Sequence, residues 1–323
     1  MKVGILGAGG CFAQNFANYL GQFGIDRFGI ARSEKIRPFW QITKPYRFSV
    51  VHLVDDPGLI LDILDGERPD VIVNFAAQGE GAASFGANCY DFYRTNVLGL
   101  IRISEYLRQY SPYLKRFIQI GSSEVYGSND APVSEYAPIK ASSPYALSKA
   151  CFDEHLQIMH RIHGFPINII RPSNCYTPGQ QLYRIIPKAI ICALSGKKLP
   201  LHGGGKARKS YLHATDLSDA IHRVILLGRP GEVYNVGPRQ PISIRELVAH
   251  VAEACGVKYG DLVEEVPDRV GQDGCYWLDS GKLFSETNWT PLTSLETGIA
   301  EMVKWVKAWP ELQSMPTDYV HRP

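Results

Sequence analysis

The sequence predicts an α/β chain in which a doubly wound parallel sheet is followed by a smaller C-terminal α/β lobe. Three observations lead there. Short β-branched or aromatic runs alternate with helical stretches over the first half of the chain. The first such run ends in a glycine turn, Gly7-Ala8-Gly9-Gly10. From about Pro172 the rhythm changes, with proline and glycine thickening in TPGQQ and LHGGGKARKS. Strands separated by helices belong to a parallel sheet covered on both faces. The expected boundaries are 1–171 for the sheet domain and 172–323 for the lobe, with strand exchange back to the first domain.

In chain order, residues 2–6 read as a buried strand that leads into a helix from Phe12 to Leu20. Further strands are expected at Arg27–Ala31, Phe48–Leu53, Val71–Phe75, Phe117–Ile120 and Ile167–Ile170. Long helices are expected at Ala87–Tyr110 and Tyr145–His163. In the lobe, Ile244–Cys255 and Leu295–Val306 read as helices.

Composition bounds the partners. With 34 basic and 32 acidic side chains, the net charge of +2 gives no global electrostatic case for nucleic acid or an anionic membrane. No apolar run is long enough to span a bilayer, and the N-terminus lacks the apolar length of a signal peptide. The seven cysteines show neither CxxC nor zinc spacing, and the nine histidines are scattered. The expectation is therefore a cytoplasmic protein with reduced thiols and no metal site.

The glycine turn sits between a strand and a helix, the context a dinucleotide-binding turn requires. Without a Cβ at Gly7 and Gly10 the backbone turns tightly and can approach a pyrophosphate. Cys11 and Phe12 open a helix whose N-terminus favours negative charge. The end of the second strand chooses the cofactor. An acid there binds the ribose of NAD, whereas a basic residue accommodates the extra phosphate of NADP. This chain has Arg32-Ser33, which favours NADP, with NAD also possible. Asn74, Ala76, Ala77 and Gln78 follow the fourth strand, at the edge where open sheets bind ligands.

Tyr145-Ala-Leu-Ser-Lys149 carries the chemistry. At i and i+4 both side chains share one helical face. A phenol titrates near ~10, too high for a base at neutral pH. An ammonium about 4 Å away contributes on the order of 4 kcal/mol at an effective dielectric of ~20, which favours the phenolate. The pair is preceded by Ser143-Pro144 and by a strand ending Gly121-Ser122-Ser123-Glu124.

Taken together, Gly7-x-x-Gly10-x-x-Ala13, Asn74-Phe-Ala-Ala-Gln78, Asn96, Ser122-Ser-Glu-Val-Tyr-Gly127, Tyr145-x-x-x-Lys149, Arg171-Pro-Ser-Asn174 and Asp268-Arg-Val-Gly271 resemble the extended short-chain dehydrogenase/reductase family that modifies nucleotide sugars. The resemblance covers nearly the whole chain and implies a Rossmann-type sheet. Ser122-Ser123-Glu124 is most similar to the Thr-Ser-Glu run of GDP-mannose 4,6-dehydratases. The stretch QQLYRIIPKAI…GKKLPLHGGG is similar to the dTDP-glucose type. Two positions depart from the pattern: Lys209 replaces an arginine, and His52 replaces an aspartate.

The resemblance implies a lyase. C4 of a hexose is oxidised, which acidifies the C5 proton, and water is then lost from C6. In this reading Tyr145 takes the C4 hydroxyl proton, Ser122 and Ser123 belong to the catalytic strand end, Lys149 holds Tyr145 ionised and Glu124 is the C5 base. Asn96 and Arg171 go to the cofactor, as does the second function of Tyr145 and Lys149. Asn174, Arg184, Lys209 and Arg269 go to the sugar nucleotide. A decarboxylase, a C4 epimerase or dehydrogenase, and a non-catalytic cofactor sensor are the alternatives. The resemblance also implies a homodimer through the two long helices.

Overall fold

The computed structural model describes residues 1–33, 45–267 and 274–321. Six strands run in chain order as β1 Lys2–Leu6, β2 Asp26–Ala31, β3 Arg47–Val50, β4 Val71–Asn74, β5 Arg116–Ile120 and β6 Ile167–Pro172. They pair in parallel in the order β3-β2-β1-β4-β5-β6, and a strand from the second half of the chain, Val233–Val236, extends the sheet beyond β6. The order reverses between β1 and β4. Connections from these two strands leave in opposite directions, and the crevice between them is where such sheets hold ligands.

β1 is apolar without alternation because both faces are covered. One face packs against Phe16 and Leu20 of the Cys11–Gln22 helix and Leu217 and Ile221 of the Ala214–Leu227 helix. The opposite face packs against Leu64, Ile103, Leu107, Phe152 and Leu156. A second core joins the helices Ile185–Ser195, Ile244–Cys255 and Leu295–Ala308. Glu246 and Ser243 cap the middle one reciprocally.

The expected helices are found with adjusted ends. Pro144 is the first residue of the second long helix, capped by the Ser143 hydroxyl accepting from the Ala146 N–H at 3.1 Å. The 87–110 stretch is not one regular helix. Its Arg94–Gly99 portion is π-helical, between α-helical turns at Cys89–Tyr93 and Leu100–Tyr110. Such turns often mark functional positions. Here the turn carries Asn96 inward, and a Cβ on Gly99 would stand 2.3 Å from Leu53. The strand expected at Phe48–Leu53 is shorter, Arg47–Val50. Among the described residues, no helix is long and apolar enough to cross a membrane.

Candidate active site

A cavity of about 820 Å³ opens at the carboxyl ends of the strands and reaches into the C-terminal lobe. Its floor begins at the glycine turn. Gly7 has φ +74°, and a Cβ there would lie 2.5 Å from the Ala76 amide nitrogen, so the turn and the β4 loop meet backbone to backbone. Gly10, Cys11 and Phe12 line the cavity, and the helix they open has no side-chain cap. The turn fits a pyrophosphate: there is no side chain to obstruct it, and an uncapped helix N-terminus faces the space.

The loop after β4 is held from behind. Asn74 accepts from the Ala76 N–H at 3.0 Å, and its amide donates to Gln119 at 2.7 Å. Buried Asn96 accepts from the Gln78 N–H at 2.8 Å and donates to the Gln78 carbonyl at 3.0 Å and to Ser148 at 2.9 Å. Asn96 therefore positions the backbone of Gln78 against the Tyr145 helix. Ala77 lines the cavity, whereas Gln78 is buried beside it. Arg32 and Ser33 are exposed at the end of β2. The Ser33 carbonyl comes within 4.0 Å of where a Gly9 Cβ would be, which places the pair beside the glycine turn.

Ser122, Ser123, Glu124, Tyr145 and Lys149 all line the cavity. Ser122 closes β5 in an extended conformation, and its hydroxyl accepts from the Glu124 N–H at 3.2 Å, which starts a one-turn 3-10 helix. The Ser122 side chain faces the Tyr145 hydroxyl closely enough to favour its ionised form. The Glu124 carboxylate packs on Gly81, where a Cβ would stand 2.9 Å from it. Lys149 donates to the Ile120 carbonyl at 2.5 Å.

Electrostatics corrects one expectation. Lys149 is not among the groups that set the Tyr145 phenol. Desolvation, followed by the Glu124 carboxylate, pushes it well above its ordinary value, while Ser122 and Arg184 act in the other direction. Burial also lowers the Lys149 ammonium to about 8, opposed by Asp153.

Two further expectations change, and a third falls outside the described residues. Arg171 does not line the cavity. It is 3% exposed, its Nε donates to Asp153 at 2.9 Å and its NH1 to the Tyr126 hydroxyl at 2.9 Å. A buried carboxylate holds it in the interior, and Gly121 makes room: a Cβ there would lie 3.1 Å from Arg171 and 3.2 Å from Asp153. Lys209 is 8% exposed, outside the cavity lining, with its ammonium 3.3 Å from the Tyr276 ring centre. Arg269 lies outside the described residues. Asn174 and Arg184 do line the cavity. Arg184 pairs with Glu80 at 3.0 Å and donates to the Gly79 carbonyl at 2.8 Å. Glu80 was not singled out from the sequence. It sits two residues beyond Gln78 in the β4 loop, and nothing local marks it as facing Arg184.

No group of three or more His, Cys, Asp or Glu able to hold a metal occurs among the described residues, and the seven cysteines, all of them described, form no disulfide.

A family model described as the NAD dependent epimerase/dehydratase family matches residues 3–237. A dTDP-glucose 4,6-dehydratase from Streptomyces niveus is 34% identical over 282 residues, 86% of this chain and 82% of that protein. One from Xanthomonas campestris is 33% identical over 272 residues, 78% and 76% of the two chains. Among solved structures, dTDP-glucose 4,6-dehydratase from Bacillus anthracis in complex with NAD superposes with a TM-score of 0.86 at 30% identity, over 96% of this chain and 98% of that one. UDP-glucose 4-epimerase from Thermus thermophilus, at 23% identity and a TM-score of 0.87, shares the fold.

Proposed function

The chain belongs to the NAD dependent epimerase/dehydratase family, and we propose that within it the protein is a nucleotide-sugar 4,6-dehydratase that yields a 4-keto-6-deoxy sugar. The observation that carries this reading is the Glu124 carboxylate in the same cavity as Tyr145, one short turn after Ser122. A C4 epimerase needs the Tyr/Ser pair but no base for C5. A dehydratase needs all three.

What a nicotinamide cofactor would supply when bound is reversible hydride storage: the hydride taken from C4 would be returned to C6 once water has left, with C5 reprotonated, so that the net change is loss of water. The glycine turn of Gly7 and Gly10, with Cys11 and Phe12, would hold its pyrophosphate. Ala76, Ala77 and the backbone of Gln78 fixed by Asn96 would flank it, and Lys149 would meet its ribose. The remaining steps belong to this chain's side chains. Tyr145 accepts the C4 hydroxyl proton while Ser122 hydrogen-bonds the same oxygen. The ketone acidifies C5, and Glu124 removes that proton and passes a proton to the hydroxyl leaving C6. Arg184, whose guanidinium is buried but faced by the Glu80 carboxylate, and Asn174 bind the sugar nucleotide. Mass spectrometry of products from GDP-, dTDP-, UDP- and CDP-hexoses tests the proposal. Loss of water from one of them is expected, and conversion without a mass change, or loss of carbon dioxide from a uronic acid nucleotide alone, would overturn it.

Arg32 and Ser33 carry the cofactor preference. No acid follows β2 within the described residues there, and an exposed guanidinium beside the glycine turn can grip a 2′-phosphate. NADP is expected in the nucleotide released on denaturing the purified protein. Arg32→Ala should weaken NADP binding about tenfold or more and leave NAD nearly unchanged. Release of NAD alone, with equal affinities in the variant, would reject the preference.

The two long helices also leave apolar side chains outside. Leu147, Ile158 and Ile162 lie on one exposed face of the Pro144–His163 helix, and Tyr90 and Leu98 are exposed on the preceding helical stretch. A self-complementary patch of this kind closes at two subunits. Light scattering should give a cytoplasmic homodimer's mass, and Ile158→Glu with Ile162→Glu should shift it to that of one chain.

A further inference from the structure

Residues 317–321 follow the last helices outside any helix or strand. Thr317, Tyr319 and His321 are half-buried, while Asp318 and Val320 are exposed. The segment crosses between the two halves of the molecule. On the lobe side, Lys188 pairs with Asp318 at 3.2 Å, and the Tyr319 ring stands edge-on to Tyr183, centroids 5.1 Å apart. On the sheet-domain side, His321 stacks on Phe92 at 5.9 Å, and its Nε2 lies 2.9 Å from Asp91. Phe92, fully buried, is in turn edge-on to Tyr145 at 6.2 Å. Thr317, Asp318 and Tyr319 line the cavity.

We propose that this segment is a strap forming one wall of the sugar-nucleotide cavity, and that Tyr319 is a specificity-determining residue that accepts a hydrogen bond from a hydroxyl of the sugar. The proposal rests on the sugar-nucleotide reading above. Its chemistry follows from the relay behind the ring. The carboxylate of Asp91 can only accept from Nε2–H of His321, and with the imidazole assigned as that tautomer Nδ1 is an acceptor. The Tyr319 hydroxyl, 3.1 Å from Nδ1, therefore donates to it. Its oxygen then has lone pairs to offer the cavity and no proton. A sugar hydroxyl can donate to such an oxygen, and a phosphate oxygen cannot. Desolvation and the nearby Glu80 carboxylate both favour the protonated phenol, which keeps this donor in place at neutral pH. Stacking on Phe92 fixes the imidazole plane, so Asp91 and His321 act through Tyr319 as positioning residues.

The test is calorimetric titration of the cofactor-loaded protein with dTDP-glucose and dTDP, and with GDP-mannose and GDP. Tyr319→Phe should weaken the sugar nucleotide that the wild type binds by about threefold to tenfold, the worth of one neutral hydrogen bond. It should leave the matching nucleoside diphosphate unchanged. His321→Phe, which keeps the ring on Phe92 but removes the Nδ1 acceptor, should reproduce the selective loss, and the double variant should lose no more than either alone, since both act on one contact. A strap that only stabilises the fold would lower the melting temperature and leave this selectivity intact. Equal loss for both members of a pair, or no loss for either, overturns the proposal. Selective loss in a protein that forms no 4-keto product would uphold the strap and reject the dehydratase. No binding of either pair by the wild type would overturn both.

Discussion

Tyr145→Phe is expected to leave the protein folded and loaded with cofactor but unable to begin the reaction, with turnover lowered about 10²–10⁴-fold. The substitution removes one oxygen and keeps the ring, so the edge-on contact with Phe92 survives. Ser122 keeps its hydrogen bond from the Glu124 N–H. What disappears is the group proposed to receive the C4 hydroxyl proton. Mixing the variant with substrate should therefore give no change in nicotinamide absorbance and no keto product, while substrate affinity stays within a few-fold of wild type. A variant that still shows the absorbance change at the wild-type rate would remove Tyr145 from the first step. Burial and the Glu124 carboxylate both favour the protonated phenol, while Ser122 and Arg184 favour its ionised form.

What the sequence revealed were features encoded over a few residues. A strand that ends in glycines and enters a helix is a local signal, and the first thirty residues fold as that signal predicts. Ser143-Pro144 announces a helix start through a cap and a fixed φ, and the helix begins there. Tyr145 and Lys149 share a face by spacing alone. What stayed hidden depends on contacts between distant segments. Arg171 stands near the carboxyl end of β6, where ligand-binding residues sit, yet Asp153, eighteen residues earlier, holds its guanidinium in the interior. Lys209 sits over Tyr276, sixty-seven positions on, because short strands bring the two into register. Glu80 acquires its place only through Arg184, more than a hundred residues away. The sequence around Tyr319 has no periodicity to read, since a segment outside any helix or strand leaves none. The environment of the Tyr145 phenol stayed hidden for a related reason: spacing counts the neighbouring ammonium but not the burial and the Glu124 carboxylate that act on it.

Glu124→Gln is expected to separate the two halves of the reaction. The amide is isosteric and keeps the Glu124 backbone N–H on Ser122, so the turn and its contact with Gly81 remain. An amide cannot accept the C5 proton. C4 oxidation should proceed, because Ser122, Tyr145 and Lys149 are intact. Removing a carboxylate from beside the phenol should even ease its ionisation, since Glu124 is one of the groups that raise it. Reduced nicotinamide should then build up as the substrate is oxidised but not dehydrated, and the 4-keto-6-deoxy product should form about 10²–10⁴-fold more slowly than in wild type. The absorbance trace thus distinguishes this variant from Tyr145→Phe, which should stay silent. Wild-type product formation by Glu124→Gln would rule out the C5 base assigned here. Reduced cofactor with carbon dioxide release from a uronic acid nucleotide would turn Glu124 into a substrate-positioning group and the enzyme into a decarboxylase.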